Sequence, residues 1–169
     1  DEVAAAIDHV SAIAKIQVLW VSAHGFETSD KILLSHRQVL GVKNADHLTE
    51  SFNKLADDAT IVLNSCQSGG TPKKNPETGN IASAISKAAA GRTVLAPKTP
   101  ICYENLRIKV KKDIEMGIKV SRWATFTTSS ISINKLFPKC IKKHLEKDVL
   151  RVYRDGVQQE KASFFVKVA

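Results

Sequence analysis

With 169 residues, 43% of them hydrophobic, the chain is long enough for one domain with a proper core and too apolar to be a disordered segment. Its formal charge of +8 is concentrated near residues 109–112, 139–147 and 151–154, but aromatic residues do not interleave with these runs, so no base-stacking platform is visible and nucleic acid is not the expected partner. No stretch has the length of a membrane-spanning helix, and no basic, apolar leader opens the chain.

In chain order, residues 3–15 are alanine-rich with Val3, Ile7, Val10 and Ala14 on one face, which predicts a helix covering a sheet. Residues 16–23 form a short apolar strand, and residues 26–30 a loop. Residues 31–40 are ambiguous between a short strand and a helical turn. Residues 49–55 read as helical, with Leu48, Phe52 and Leu55 inward. A second apolar strand spans residues 60–65. The following 67–79 stretch carries three glycines and two prolines, the composition of a mobile loop. Asn80 is placed to cap a helix over 81–90, Gly91 to end it, and residues 93–96 form a third strand. Helix and strand alternate as in a parallel sheet.

After Pro100 the pattern changes to period two, through Leu106, Ile108 and Val110, then Ile114, Met116, Ile118 and Val120. That alternation predicts a hairpin or twisted ribbon; a basic amphipathic helix is the competing assignment. Residues 134–147 read as a helix kinked at Pro138. Residues 149–153 and 163–168, with Asp155–Gly156 as a turn signal, read as a closing C-terminal hairpin. The whole chain reads as one α/β domain with a mainly parallel central sheet.

The chemistry is concentrated at two strand ends. One apolar strand ends on His24–Gly25, the other on Cys66 with Gly69 and Gly70 beyond it. Carboxyl ends of strands in open α/β sheets are where ligands bind. If the two strands are parallel neighbours, a thiol and an imidazole emerge together, the pairing a cysteine nucleophile needs. Glycine turns let a substrate carbonyl approach backbone N–H groups, so the Gly25 and Cys66 amides are candidate oxyanion donors, each worth about 3 kcal/mol of transition-state stabilisation.

Other candidates carry less. Taken alone, Cys66 reads as a small buried residue; it becomes a catalytic candidate through His24–Gly25. The three cysteines, Cys66, Cys102 and Cys140, are widely spaced, with no zinc-type spacing. No metal and no cofactor are therefore expected. An odd number of cysteines points to a reducing compartment such as the cytoplasm, a secreted effector being the alternative. Cys102 and Cys140 read as packing residues, and His9, His36, His47 and His144 as surface residues.

The motif Ser22–Ala23–His24–Gly25, followed 42 positions after the histidine by Cys66 within Asn64–Ser65–Cys66–Gln67–Ser68–Gly69, resembles the caspase-like cysteine peptidases. These include caspases, metacaspases, legumains, gingipains, separases and bacterial CHAT domains. The cysteine motif is similar to Asp–Ser–Cys–His–Ser–Gly of metacaspases, whereas residues 81–96 look more like the helix and strand that follow the cysteine in CHAT domains. The likeness runs from Val3 to Pro100. It implies a three-layer caspase-like sandwich and a cysteine endopeptidase acting on a protein or peptide substrate. It implies Cys66 as nucleophile, His24 as the residue that protonates the leaving amine, and Gly25 and Cys66 as oxyanion donors. Asn64 stands where metacaspases carry an aspartate that selects a basic P1 residue. The family's sheet also has strands before the one ending in histidine, so a preceding segment or an activating partner is expected.

The P1 pocket is expected beside Cys66, from Asn64, from Glu27 and Asp30 in the loop after His24, and from the strand end carrying Lys98. Asn64 brings no charge, and Pro97 disturbs the strand that would aim Lys98 inward. An uncharged or basic P1 residue is therefore expected. Lys73 and Lys74 suggest a processing site in the 67–79 loop. Two readings of another class stay open. One is a catalytically silent module that keeps the fold and binds a partner through its basic surface. The other is a flavodoxin-like nucleotide binder, which ranks last because Gly69–Gly70 matches no phosphate-loop fingerprint.

Overall fold

A computed structural model describes residues 2–35, 38–72, 77, 79–100, 106–111, 115–120, 150–160 and 165–167. The fold is mixed α/β, built on a central five-stranded sheet. Its strands are β1 (Val18–Ser22), β5 (Thr60–Asn64), β6 (Thr93–Pro97), β9 (Leu150–Arg154) and β10 (Val157–Gln159), in that spatial order. β1, β5 and β6 run parallel, in register Leu19–Ile61–Val94; β9 and β10 are antiparallel additions at one side. Every residue of β5 is buried, as a central strand of branched apolar side chains requires.

The sheet's two faces differ. On one face Ile61, Leu63, Val94, Ala96 and Tyr153 join the main core. That core also takes buried residues from α1 (Glu2–Ser11), α2 (Thr49–Phe52) and α3 (Ile81–Ala88). On the other face Val62, Leu95 and Val152 form a small cluster with Val18, Trp20, Cys66 and Leu150 against it. Among the described residues no helix contributes to that second cluster.

Several expectations are met closely. Leu48, Phe52 and Leu55 are all buried. Asn80 caps α3, its Oδ1 accepting from the Ser83 N–H at 2.9 Å. β7 (Leu106–Lys111) and β8 (Glu115–Val120) pair as the antiparallel ribbon the alternation predicts.

Others are corrected. α1 stops at Ser11, and Val10, expected inward, is 45% exposed; of the four residues expected inward, Val3 and Ile7 are buried in the core. In the 31–40 stretch, left open between a short strand and a helical turn, residues 31–33 and 39–40 are strand. β3 (Lys31–Leu33) pairs with both β2 (His24–Gly25) and β4 (Val39–Gly41) in a small antiparallel sheet. Asp155–Gly156 does turn the chain, with φ of 51° and 83°, but the strand it returns is β10. β11 (Phe165–Lys167), inside the segment expected to close that hairpin, pairs with β8 instead. The 134–147 helix, Cys102, Cys140, His36 and His144 lie outside the described residues.

One buried charge holds the main core together. Arg92, 8% exposed, donates from Nε to the Ala56 carbonyl at 3.2 Å, from Nη1 to Ala90 at 2.8 Å and from Nη2 to Leu55 at 3.1 Å. The Ala56 and Leu55 carbonyls belong to the chain leaving α2, where helix ends leave acceptors unmatched. Its partner carboxylate, Asp57, is fully exposed, so neutral acceptors do most of the compensation. Arg92→Met keeps the stem and removes every donor. We expect it to lower unfolding stability by about 2 kcal/mol, because the Leu55 carbonyl loses its Arg92 donor, a loss of about 1–3 kcal/mol for a buried acceptor, while the Ala56 carbonyl keeps the Ala59 N–H at 3.1 Å. Denaturant titration checks this; a loss under about 1 kcal/mol would contradict the role assigned to Arg92.

Candidate active site

The parallel pairing of β1 and β5 sets Ser22 opposite Asn64, so the two chemistry-bearing ends leave the sheet at the same edge. Beyond the last paired residues the chains stay together. The Ala23 N–H donates to the Asn64 carbonyl at 3.3 Å. Gly25 then lies directly on the backbone of Cys66. A Cβ built at Gly25 would sit 1.7 Å from the Cys66 carbonyl oxygen and 2.7 Å from its amide nitrogen. Only a residue without a side chain permits that approach. His24 is exposed, and Cys66 is half-buried and in no disulfide.

The backbone at both loops is unusual. Gln67, immediately after Cys66, has φ of 55°, and Ser29, in the loop after His24, has φ of 60°. Left-handed conformations at non-glycine residues cost about 1–3 kcal/mol each and persist only where the surroundings impose them. At Ser29 the surroundings are visible. The residue is 2% exposed, its N–H donates to the Phe26 carbonyl at 3.0 Å, and its carbonyl accepts from the Ile81 N–H at 2.9 Å. Its hydroxyl lies against Gly70, where a built Cβ would be only 2.6 Å away. The loop after the histidine is thus stitched to the loop after the cysteine and to the start of α3.

The 67–79 stretch, expected to be a mobile loop, opens with a turn whose backbone is hydrogen-bonded at residues 67–70. The Gln67 N–H donates to the Thr99 carbonyl at 3.1 Å, Gly69 to Pro97 at 2.8 Å and Gly70 to Gln67 at 2.8 Å. Lys73 and Lys74 lie outside the described residues.

The residues expected around a P1 pocket are distributed unevenly. Asn64 is 3% exposed and donates from Nδ2 to the Ser22 hydroxyl at 3.2 Å, which also accepts from the Trp20 indole at 3.1 Å. Its amide therefore ties β5 to β1. Asp30 is half-buried and takes a hydrogen bond from the Thr28 hydroxyl within its own loop. Glu27 is exposed. Lys98 is half-buried, and its carbonyl lies beside Gly70, so its backbone, at least, borders the cysteine turn. Three further side chains reach this turn: Asn80, Arg151 and Tyr153. Asn80 was legible only as a helix cap. Arg151 and Tyr153 had no local signal, because their partner Gly69 lies 82 and 84 residues away.

Elsewhere, an open groove of about 670 Å³ lies between the end of α1 and the end of α2, bordered by Asp8, Ile13, Lys15 and Lys54. Within it a hydrogen bond from Lys54 holds the Asp8 carboxyl below its ordinary value. No cysteine or histidine lines it. Among the described residues no cluster of His, Cys, Asp and Glu is arranged to hold a metal ion, and no helix is long and apolar enough to cross a membrane. No protein-family model, curated protein or solved structure matches the chain.

Proposed function

We propose that the chain is a cysteine endopeptidase of caspase-like architecture, cleaving peptide bonds through a Cys66/His24 pair and a thioester acyl-enzyme. The observation that carries the proposal is the backbone contact of Gly25 on Cys66 at the shared carboxyl edge of two parallel strands. The contact leaves no room for a side chain at residue 25 and so brings the Gly25 backbone next to that of Cys66. That closeness supports a site in which a thiol, an imidazole and two amide donors surround one carbonyl.

In the proposed reaction the Cys66 sulfur attacks the scissile carbonyl carbon and its proton passes to His24. The negative charge that forms on the carbonyl oxygen is met by the Gly25 and Cys66 N–H groups. Collapse of the tetrahedral intermediate breaks the C–N bond, and the leaving amine takes the proton from His24. Water, deprotonated by His24, then attacks the thioester and releases the acid and the Cys66 thiol. No step calls on a metal or cofactor.

A peptide probe bearing a thiol-reactive group tests this reading. Intact-mass analysis should find one adduct, on Cys66, and His24→Ala should slow its formation and lower peptide turnover by at least about 100-fold. Unchanged labelling and turnover in His24→Ala would break the pairing. Absence of any turnover, with an intact fold, would favour the silent binding module and its basic surface.

For specificity we hold to an uncharged or basic P1 residue, since Asn64 supplies no charge and is engaged with Ser22. Matched peptides differing only at P1 decide it. A preference for aspartate above about tenfold, worth about 1.4 kcal/mol, would overturn that choice.

A further inference from the structure

The start of β9 lies at the same sheet edge as Cys66, because β9 runs antiparallel to β6 and sets Arg151 opposite Ala96 and Tyr153 opposite Val94. Both side chains reach the carbonyl of Gly69, just beyond the cysteine. Tyr153 Oη donates to it at 3.0 Å and Arg151 Nη1 at 3.1 Å; Arg151 Nη1 also donates to the Thr71 hydroxyl at 3.3 Å. Asn80 completes the arrangement, donating from Nδ2 to the Gly70 carbonyl at 2.8 Å and to Tyr153 Oη at 2.8 Å. We propose that Tyr153, Asn80 and Arg151 are positioning residues that clamp the turn after Cys66 and so place its thiol for the reaction. This inference rests on the peptidase reading.

The proton count closes. Asn80 has two N–H donors on Nδ2, one for Gly70 and one for Tyr153, and its Oδ1 remains to cap α3. Tyr153 has one hydroxyl proton, which goes to Gly69 while its oxygen accepts from Asn80. The result is a directed chain, Asn80 to Tyr153 to Gly69, in which each bond polarises the next. Tyr153 is 3% and Asn80 6% exposed, so water does not compete freely for these groups.

The turn needs donors from outside. Gly69 and Gly70 are buried and their carbonyls face no ladder partner. The N–H groups of Gln67, Gly69 and Gly70 are already engaged with Thr99, Pro97 and Gln67. Side chains are left to satisfy the carbonyls. With those carbonyls fixed, Gln67 is held at φ of 55°, and Cys66 is held between that residue and Gly25. Released, the turn would relax toward an ordinary backbone and carry the sulfur with it.

The test uses Tyr153→Phe, which removes one hydroxyl, and Asn80→Ser, which keeps a capping oxygen but loses the amide donors. Four quantities are read on the whole chain: kcat, KM, the rate of Cys66 alkylation by iodoacetamide, and the thermal midpoint. Ile7→Val, in the core beneath α1, serves as the control for a general loss of stability. We expect kcat to fall at least tenfold in both clamp variants with KM within twofold, and alkylation to change by at least threefold, neither happening in Ile7→Val. If Tyr153→Phe does not fold, Arg151→Gln, at a half-exposed residue, carries the same test with at least a threefold loss of kcat. Wild-type kcat and alkylation rates in the folded clamp variants would overturn the clamp, as would the same losses in Ile7→Val. Should the wild-type chain cleave no peptide, the peptidase reading fails while the alkylation arm still decides whether the clamp positions the thiol.

Discussion

Cys66→Ala is expected to abolish peptide cleavage, by a factor of at least about 10,000 in kcat/KM, and to leave the domain folded. The size follows from the role. When a covalent nucleophile is removed from an assembled site, what remains is binding and oxyanion stabilisation, and losses on the order of 10,000- to a million-fold are usual. The stability expectation follows from the surroundings. Cys66 is half-buried against the small cluster of Val62, Leu95 and Val152, and its backbone meets Gly25. Alanine keeps that backbone and removes one atom from a partly solvated place, so the change should be about 1 kcal/mol. Turnover of matched peptides and a denaturant titration on the same preparation measure both. Cleavage at the wild-type rate would remove Cys66 as nucleophile.

Gly25→Ala should fail in the opposite manner, losing fold and activity together. A Cβ at this position would lie 1.7 Å from the Cys66 carbonyl oxygen and 2.6 Å from its carbonyl carbon. Both are backbone atoms, so no rotamer change relieves the overlap. Gly25 is held by pairing with Ile32 in β3, and the strand entering it is held by the Ala23–Asn64 hydrogen bond. Cys66 is held at the end of a wholly buried strand. One of the two segments must therefore move by more than an ångström. We expect destabilisation of about 3 kcal/mol, at the upper end for overpacking. We also expect at least a 100-fold loss of turnover, the scale of a 1 Å misplacement of reacting groups. A folded Gly25→Ala chain within about 1 kcal/mol of wild type and fully active would show that the contact is dispensable.

These two variants separate chemistry from geometry. Cys66→Ala removes the reacting atom from an intact frame, and Gly25→Ala keeps the reacting atom in a distorted one. Tyr153→Phe falls between them, since it leaves both strand ends in place and loosens only the turn that follows.

The parts of this fold legible from residues are those in which a short segment determines its own state. Three adjacent branched residues made Thr60–Asn64 a buried strand, and the structure buries all five. Asn80 ahead of a run of small apolar residues announced α3 and its cap, whereas the helix, expected over 81–90 with Gly91 ending it, stops at Ala88 with Ala89 as its C-cap. His24–Gly25 and Cys66 stood out because polar, reactive residues closed apolar strands. Residues 31–40 stayed open between a short strand and a helical turn because β3 and β4, of three residues each, are too short to show a period of two. α1 was read too long because its apolar spacing continues through Val10 to Ala14, although Val10 is 45% exposed and the helix stops at Ser11.

What the chain determined alone, then, was local: where strands form, where they stop, and which reactive groups sit at the stops. Those follow from side-chain shape and backbone freedom within a few residues. Only the tertiary structure decided that β1 and β5 are parallel neighbours, that Gly25 rests on the Cys66 backbone, and that Tyr153 and Arg151 return from beyond residue 149 to hold Gly69. Contacts across 82 and 84 residues leave no mark in local spacing. They exist because a buried carbonyl must find a donor, and a closely packed sheet edge leaves few places from which that donor can come.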